Sequence, residues 1–402
     1  MLQNSSQLLI KDLIIDWDWA KLPLAYLGVV KSNSGSEIQL DFPLDATIPN
    51  TLDWSNVEMI DATTFVPVKG GSEWWYVNPG VQQKITANSL RIAGFNGNLS
   101  AAVPGTALRI RQYGNANVNQ HVWYLDNVSH TVFENVRIYS GSYMGYVLTN
   151  NTHHILLDRC RIVPDPEATG SKRILSTFAD GLHIAHFTGY LGVINSEFSH
   201  QGDDALNIKQ NVASKVTRTS NTTLFIQTEQ WFSPYQVGDV LELRNYGDHS
   251  VIGATPPVTN VQWGGNAVTL SFNATLPAFA GSDILAINKR FNVGQYFVRN
   301  NHFHDNRARG ILPKLPNGVI DGNRIEGNSM PGILFEFGRW DNIHAEGSFI
   351  DNLQITNNTI VNTNLYGWYP AAITYRVNGM NYVDATAFPQ LFSNLKIQDN
   401  TF

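Results

Sequence analysis

Two acidic motifs carry the clearest chemical signal in this chain. Residues 178–210 read FADGLHIAHFTGYLGVINSEFSHQGDDALNIKQ and contain Asp180-Gly181 and Gly202-Asp203-Asp204. Asp203 and Asp204 follow Asp180 by 23 and 24 residues. Three carboxylates held close repel one another, so at least one pKa rises and the titrations couple. A glycosidase needs such a set: one carboxylic acid donates to the leaving oxygen and carboxylates activate water. The bland reading is also open, because Asp-Gly is an ordinary turn dipeptide and paired Asp is common on surfaces. A calcium site is the other use of clustered Asp, but it needs more oxygen donors than this segment shows. No metal or cofactor is therefore expected. Neighbouring strand residues point to opposite faces, so Asp203 and Asp204 can both face outward only at a bend, which Gly202 permits.

Whether these residues meet depends on a repeat. One pattern recurs in TVFENVRI (131–138), HILLDRCRI (154–162), GVINSEF (192–198), YFVRNNHF (296–303), GVIDGNRI (318–325), LQITNNTI (353–360) and LKIQDNTF (395–402). Its closing apolar residues are Ile138, Ile162, Phe198, Phe303, Ile325, Ile360 and Phe402, at separations of 24, 36, 105, 22, 35 and 42. Steps of 22 to 24 match one coil of a parallel β-helix, and longer steps are coils with loops. Equivalent positions on adjacent coils lie about 4.8 Å apart, which sets Asp180 beside Asp203-Asp204. Asn at the turns tolerates left-handed backbone and ladders with the coil above. A β-sandwich would space its strands every ~8–12 residues without a shared phase.

The expected fold is all-β, a right-handed parallel β-helix solenoid with two small β-barrel-like inserts. Residues 1–17 form a partial coil, 18–112 the first insert, 113–209 the helix with the Asp cluster, 210–289 the second insert and 290–402 the C-terminal coils. The inserts lack the repeat, carry short alternating strands such as SEIQLDF and NAVTLSF, and end alike in GTALRIRQ and GSDILAINKR. LIIDWDW near residue 14 and LKIQDNTF at 395–402 place both ends inside the solenoid without a cap, as expected of a fragment or a short member of its class.

The weaker candidates surround this cluster. His183 and His200 flank the carboxylates and could hydrogen-bond substrate or fill the cleft wall. Arg307 and Arg309 share a strand face and could reach sugar hydroxyls, hold Asp204 ionised or pair with a neighbouring coil. Glu336, Trp340 and Glu346 lie in a loop-rich stretch. Trp340 and Trp368 are candidate sugar-stacking platforms. Cys160 is expected to be a small core residue.

The composition excludes several classes. There are 27 Lys+Arg against 33 Asp+Glu, a net charge of −6, with no basic run, which argues against a nucleic-acid partner. A single cysteine excludes an intrachain disulfide and a multi-cysteine metal site. No apolar run approaches the ~18 residues of a membrane span. The N-terminus lacks a signal-peptide layout, giving a cytoplasmic chain or one truncated at its start.

Asp-Gly followed one coil later by Gly-Asp-Asp-Ala-x-Asn resembles the inverting β-helix glycoside hydrolases. Together with VPGTALRIRQ (103–112), ENVRIYSGSYMGYV (134–147), NRARGIL (306–312) and MPGILFEFGRWDNIHAEG (330–347), the pattern is similar to glycoside hydrolase family 110, the α-1,3-galactosidases. That resemblance implies exo-acting, metal-independent, inverting release of terminal α-1,3-linked galactose from blood-group-B-type or linear glycans. It implies a secreted or periplasmic enzyme whose partner is an oligosaccharide, with Asp203 as general acid and Asp180 with Asp204 activating water. Asn207, Lys209, Arg307, Arg309, Glu336, Trp340 and Glu346 are the further candidate substrate contacts. The chain departs from the family where Lys209-Gln210 replaces an expected His-Gly. A polygalacturonase-like hydrolase, a polysaccharide lyase and a non-catalytic glycan-binding β-helix are the alternatives. The Arg-x-Lys and Gly-His-Gly expected of pectin-cleaving relatives are absent.

Overall fold

A computed structural model describes residues 1–54, 56–75, 77–78, 80–94, 99–112, 120–165, 173–292, 294–347, 349–377 and 391–402. The described residues stack in successive coils, each placing short strands in up to three parallel sheets, here sheets I, II and III. Sheet I runs through Leu2–Gln3, Trp123–Asp126, Tyr146–Thr149, Leu182–Ile184, Leu206–Ile208, Ile311–Pro313, Ile333–Arg339 and Ile373–Val377. Sheet II begins at Ser6–Lys11 and ends at Phe392–Gln398, and sheet III runs from Ile14–Ile15 to Thr359–Val361.

The repeat is the register of sheet III. Ile138 pairs with Ile162, Ile162 with Phe198, Phe198 with Phe303, Phe303 with Ile325 and Ile325 with Ile360. Thr401 bridges to Thr359, which extends this column to Phe402. From Ile138 to Ile360 these side chains are buried in one continuous core with Leu182, Ile184, Leu206 and Ile208 of sheet I. Burying each one stabilises the fold by roughly 1.5–3 kcal/mol. The core is apolar over most of its length because each inward position faces its equivalent on the coil above.

Asparagine does two jobs at the corner between sheets II and III. Asn135, Asn195, Asn300 and Asn357 have left-handed backbone, with φ between 52° and 56°. The next residue in each later coil then points inward and forms a ladder. Asn301 takes Asn323 Oδ1 at 3.0 Å on its backbone N–H, Asn323 takes Asn358 at 2.9 Å, and Asn358 takes Asn400 at 3.0 Å. The ladder satisfies backbone groups that no sheet reaches at the bend. Earlier coils fill the same column with Ser196 and Cys160, whose N–H donates to Ser196 Oγ at 3.0 Å. Cys160 is buried in the core, and burial pushes its thiol up to about 11.

Two antiparallel units interrupt the coils. The first is a seven-stranded sheet between Ala25–Asn33 and Ala107–Arg111, with its own core around Phe42, Trp54, Leu90 and Ile110. It docks along the helix: Gly70 N–H donates to Leu365 O at 2.7 Å, and Tyr366 Oη to Met59 O at 2.9 Å. The second unit interrupts one coil between Leu206–Ile208 and Gln295–Arg299. It has a core around Leu224, Leu243 and Leu270 and pairs antiparallel with His344–Glu346.

Candidate active site

The phase relation between the acidic motifs follows from sheet I. Leu182 pairs with Leu206, and Gly181 N–H donates to Asp204 O at 2.9 Å. Asp180 and Asp204 are thus equivalent positions on adjacent coils, with Asp203 one step earlier. One carboxylate oxygen from each of the three lies within 4.8 Å of the other two. Leu182, Ile184, Leu206 and Ile208 take the inward positions, leaving His183 paired with Asn207 on the outer face. Asp180 and Asp204 are buried, whereas the Asp203 side chain is 28% exposed. Asp203 is the member that a ligand reaches most directly.

Gly202 is required here by space. A Cβ would stand 2.2 Å from Phe178 O and 2.8 Å from Arg111 Nη1. The expected bend is present at Gly202 and Asp203, and His200 just before them has left-handed backbone at φ 57°. The closeness of Gly202 to Phe178 lets Arg111 Nη1 donate to both carbonyls, at 2.6 and 2.8 Å, locking the two acidic loops together.

Every carboxylate has a cation or an imidazole. Arg307 Nη1 lies 3.0 Å from Asp203 Oδ1, and Arg309 Nε lies 2.8 Å from Asp204 Oδ1. The Arg309 backbone N–H also donates to Asp204 Oδ1 at 3.0 Å. Asp180 Oδ2 and His183 Nδ1 share a hydrogen bond of 2.6 Å. Arg307 is held from the first insert: Glu73 accepts from its Nε and Nη2, and its guanidinium lies 4.0 Å over the Trp75 ring. With guanidinium groups already against the trio, its donor set suits proton chemistry better than a divalent cation.

Burial pushes the Asp180 carboxyl up to about 8, and the neighbouring Asp203 charge adds to the rise. Burial also acts on Asp203, but Arg307, Arg309 and Arg111 outweigh it and hold that carboxyl below its usual range. Asp204 is raised by burial against the pull of Arg309, with Asp203 and Asp180 adding to the rise. The set therefore retains a proton at neutral pH on its buried side, with Asp203 ionised in the free site. Burial and the Lys209 charge keep His183 neutral, down to about 3.

The other expected residues divide. Arg307 and Arg309 join the trio, and Glu336 lies behind Arg309 at 3.7 Å. Lys209 and Lys314 clamp Glu346 at 2.7 and 2.9 Å, and the charges of Lys209 and Glu346 reach Asp180. Asn207 Oδ1 is buried with no hydrogen-bond partner in the structure. His200 is not brought in: its Nε2 faces Thr64 O at 3.4 Å, because it forms the corner between sheets III and I. Trp340 is also elsewhere, 53% exposed and stacked on His344. Trp368 is exposed beside Tyr366. Sequence reasoning missed Glu73, Trp75, Arg111 and Lys314. A faint signal existed in ALRIR, where charged residues alternate in a strand that is buried throughout. A groove of about 610 Å³ also lies over sheet I, lined by Tyr124, Thr149, Asn150, Glu229 and the exposed Trp231.

Residues 262–402 match the family model for a right-handed β-helix region. The chain is 24% identical over 379 residues to α-1,3-galactosidase B of Bacteroides thetaiotaomicron, covering 92% of this chain and 57% of that one. It is 26% identical over 239 residues to α-1,3-galactosidase A of the same organism, covering 58% and 41%. It is also 26% identical over 288 residues to α-1,3-galactosidase A of Shewanella woodyi, covering 69% and 44%. The chain thus spans about half the length of the curated relatives it matches.

Proposed function

We propose that this right-handed parallel β-helix, which resembles α-1,3-galactosidases along most of its length, is an exo-acting glycoside hydrolase releasing terminal α-1,3-linked galactose with inversion. The observation that carries this reading is the coupled trio of Asp180, Asp203 and Asp204 within 4.8 Å. Substrate entering over Asp203 strips its water and shifts the shared proton to it from the buried pair. Asp203 then protonates the glycosidic oxygen as the bond to the anomeric carbon breaks. Water attacks that carbon and gives its proton to Asp180 or Asp204. His183 and Arg309 hold those two carboxylates in place.

A neutral sugar fits this site better than a polyuronate. Arg307 and Arg309 are paired with carboxylates, and Lys209 and Lys314 with Glu346. The inverting course rests on the resemblance. The carboxylate oxygens stand closer than the roughly 6.5–9.5 Å between carboxyl groups that usually seats a water. That spacing favours a second reading, double displacement through a galactosyl ester, which retains configuration. Proton NMR of an α-1,3-galactobiose digest separates them. β-Galactose released first supports inversion, α-galactose first replaces it with the retaining route, and no free galactose rejects the galactosidase reading.

A further inference from the structure

The outer face of sheet II carries three histidines that catalysis does not use. Ser129 pairs with His153 and Thr131 with Ile155, so His130 and His154 occupy equivalent positions on consecutive coils. Both have left-handed backbone, with φ of 49° and 54°. Such a conformation is uncommon outside glycine and persists only when its surroundings enforce it. The two rings stack with centroids 4.5 Å apart. The His153 ring meets both edge-on, and its Nδ1 lies 2.8 Å from His154 Nδ1. One ring nitrogen from each histidine lies within 4.8 Å of the other two. The next coil leaves room for them. Gly189 stands opposite, where a Cβ would lie 2.7 Å from His153 Cβ, and the Tyr190 ring packs edge-on to His154.

We propose that His130, His153 and His154 bind a divalent transition-metal ion, Zn²⁺ in the first instance, and staple the second coil to the third. Neutral imidazoles are the usual nitrogen ligands of zinc, at about 2.0–2.1 Å, and three of them plus water make a common set. A second cluster of similar size, Glu197, His302 and His304, has its nitrogens engaged differently. His302 Nε2 is 2.8 Å from Glu326 and His304 Nδ1 2.6 Å from Asp305. Asp305 and Glu197 overcome the effect of burial and carry His304 up to about 9, so it is protonated and has no lone pair to give. In the His130 cluster the nitrogens face one another instead of carboxylates.

The test uses the full chain, stripped with EDTA and titrated calorimetrically with ZnCl₂ at pH 7.5. One site per chain is expected, with a rise of ~3 °C in Tm at a hundredfold excess of Zn²⁺ over Kd. His130→Gln and His154→Ala should each weaken binding at least tenfold, whereas His302→Ala should leave it unchanged. One equivalent of Cu²⁺ on the unsubstituted chain should give an EPR spectrum split by imidazole nitrogens, a readout that depends on no variant. An oxygen-only EPR signal, no calorimetric site, or wild-type affinity in His154→Ala overturns the proposal. So does binding lost in His302→Ala.

Discussion

Arg307 grips both oxygens of Glu73 at 2.7 and 2.8 Å while its remaining nitrogen reaches Asp203 at 3.0 Å. A side chain of the first insert thereby sets the position of the most exposed carboxylate of the trio. Both partners are buried, and removing one leaves an uncompensated charge, at a cost of about 3–5 kcal/mol. Glu73→Ala is expected to lower Tm and reduce kcat/KM at least tenfold. The double variant Glu73→Met, Arg307→Met is expected to regain stability without regaining activity. Urea unfolding and initial rates on the same preparations check both, and full activity in Glu73→Ala refutes the positioning role.

The proton donor and the water-activating pair respond differently to the leaving group. Asp203→Asn is expected to lose ~10²–10⁴-fold in rate on a glycan but far less on an aryl galactoside with a low leaving-group pKa. Asp180→Asn and Asp204→Asn should lose similar factors on both substrates. Equal losses for all three on both substrates would remove the acid role from Asp203.

The Asp180 carboxyl is raised from 3.8 to about 8 in the fold, so the native state binds a proton that the unfolded chain has lost across that interval. Stability from this group is therefore fully present below about pH 4 and falls as pH rises toward 8. Asp180→Asn removes that dependence. The variant is expected to be more stable than the parent at pH 8, by about 1 kcal/mol or more, with the difference vanishing near pH 4. Denaturant midpoints at four pH values measure it, and a constant difference across the range contradicts the raised carboxyl.

Gly202→Ala drives a methyl into the Phe178 carbonyl. The expected cost is about 1–3 kcal/mol in stability, together with a loss of activity larger than stability alone accounts for, because Arg111 and Arg307 both bond the Gly202 carbonyl. Kinetics at 10 °C, where the variant remains folded, separate the two effects.

The solenoid was legible because its period is written in residues that cannot be exchanged freely: large apolar side chains at each coil's end and Asn at corners needing left-handed backbone. That phase was enough to bring Asp180 to Asp203 and Asp204, since a parallel stack converts a sequence interval of one coil into contact. It was not enough for Glu73, Trp75 and Arg111. Their arrival depends on how the first insert docks, and nothing local in the chain encodes a contact 234 positions long, such as Glu73 with Arg307. His200 was misplaced for the opposite reason. Nearness in sequence to Asp203 suggested the cleft, but the corner turns its ring toward Thr64.

The docking of the first insert also has a consequence in time. Its partners in the cleft, among them Gly202, Arg307 and Leu365, follow it in the chain. A ribosome delivers the insert early, yet its helix-facing side cannot be covered until those later residues emerge. Coils can close one upon another as they appear, whereas the cleft is completed only once Arg307 and Leu365 have emerged. An interrupted nascent chain would carry ordered coils and no working catalyst.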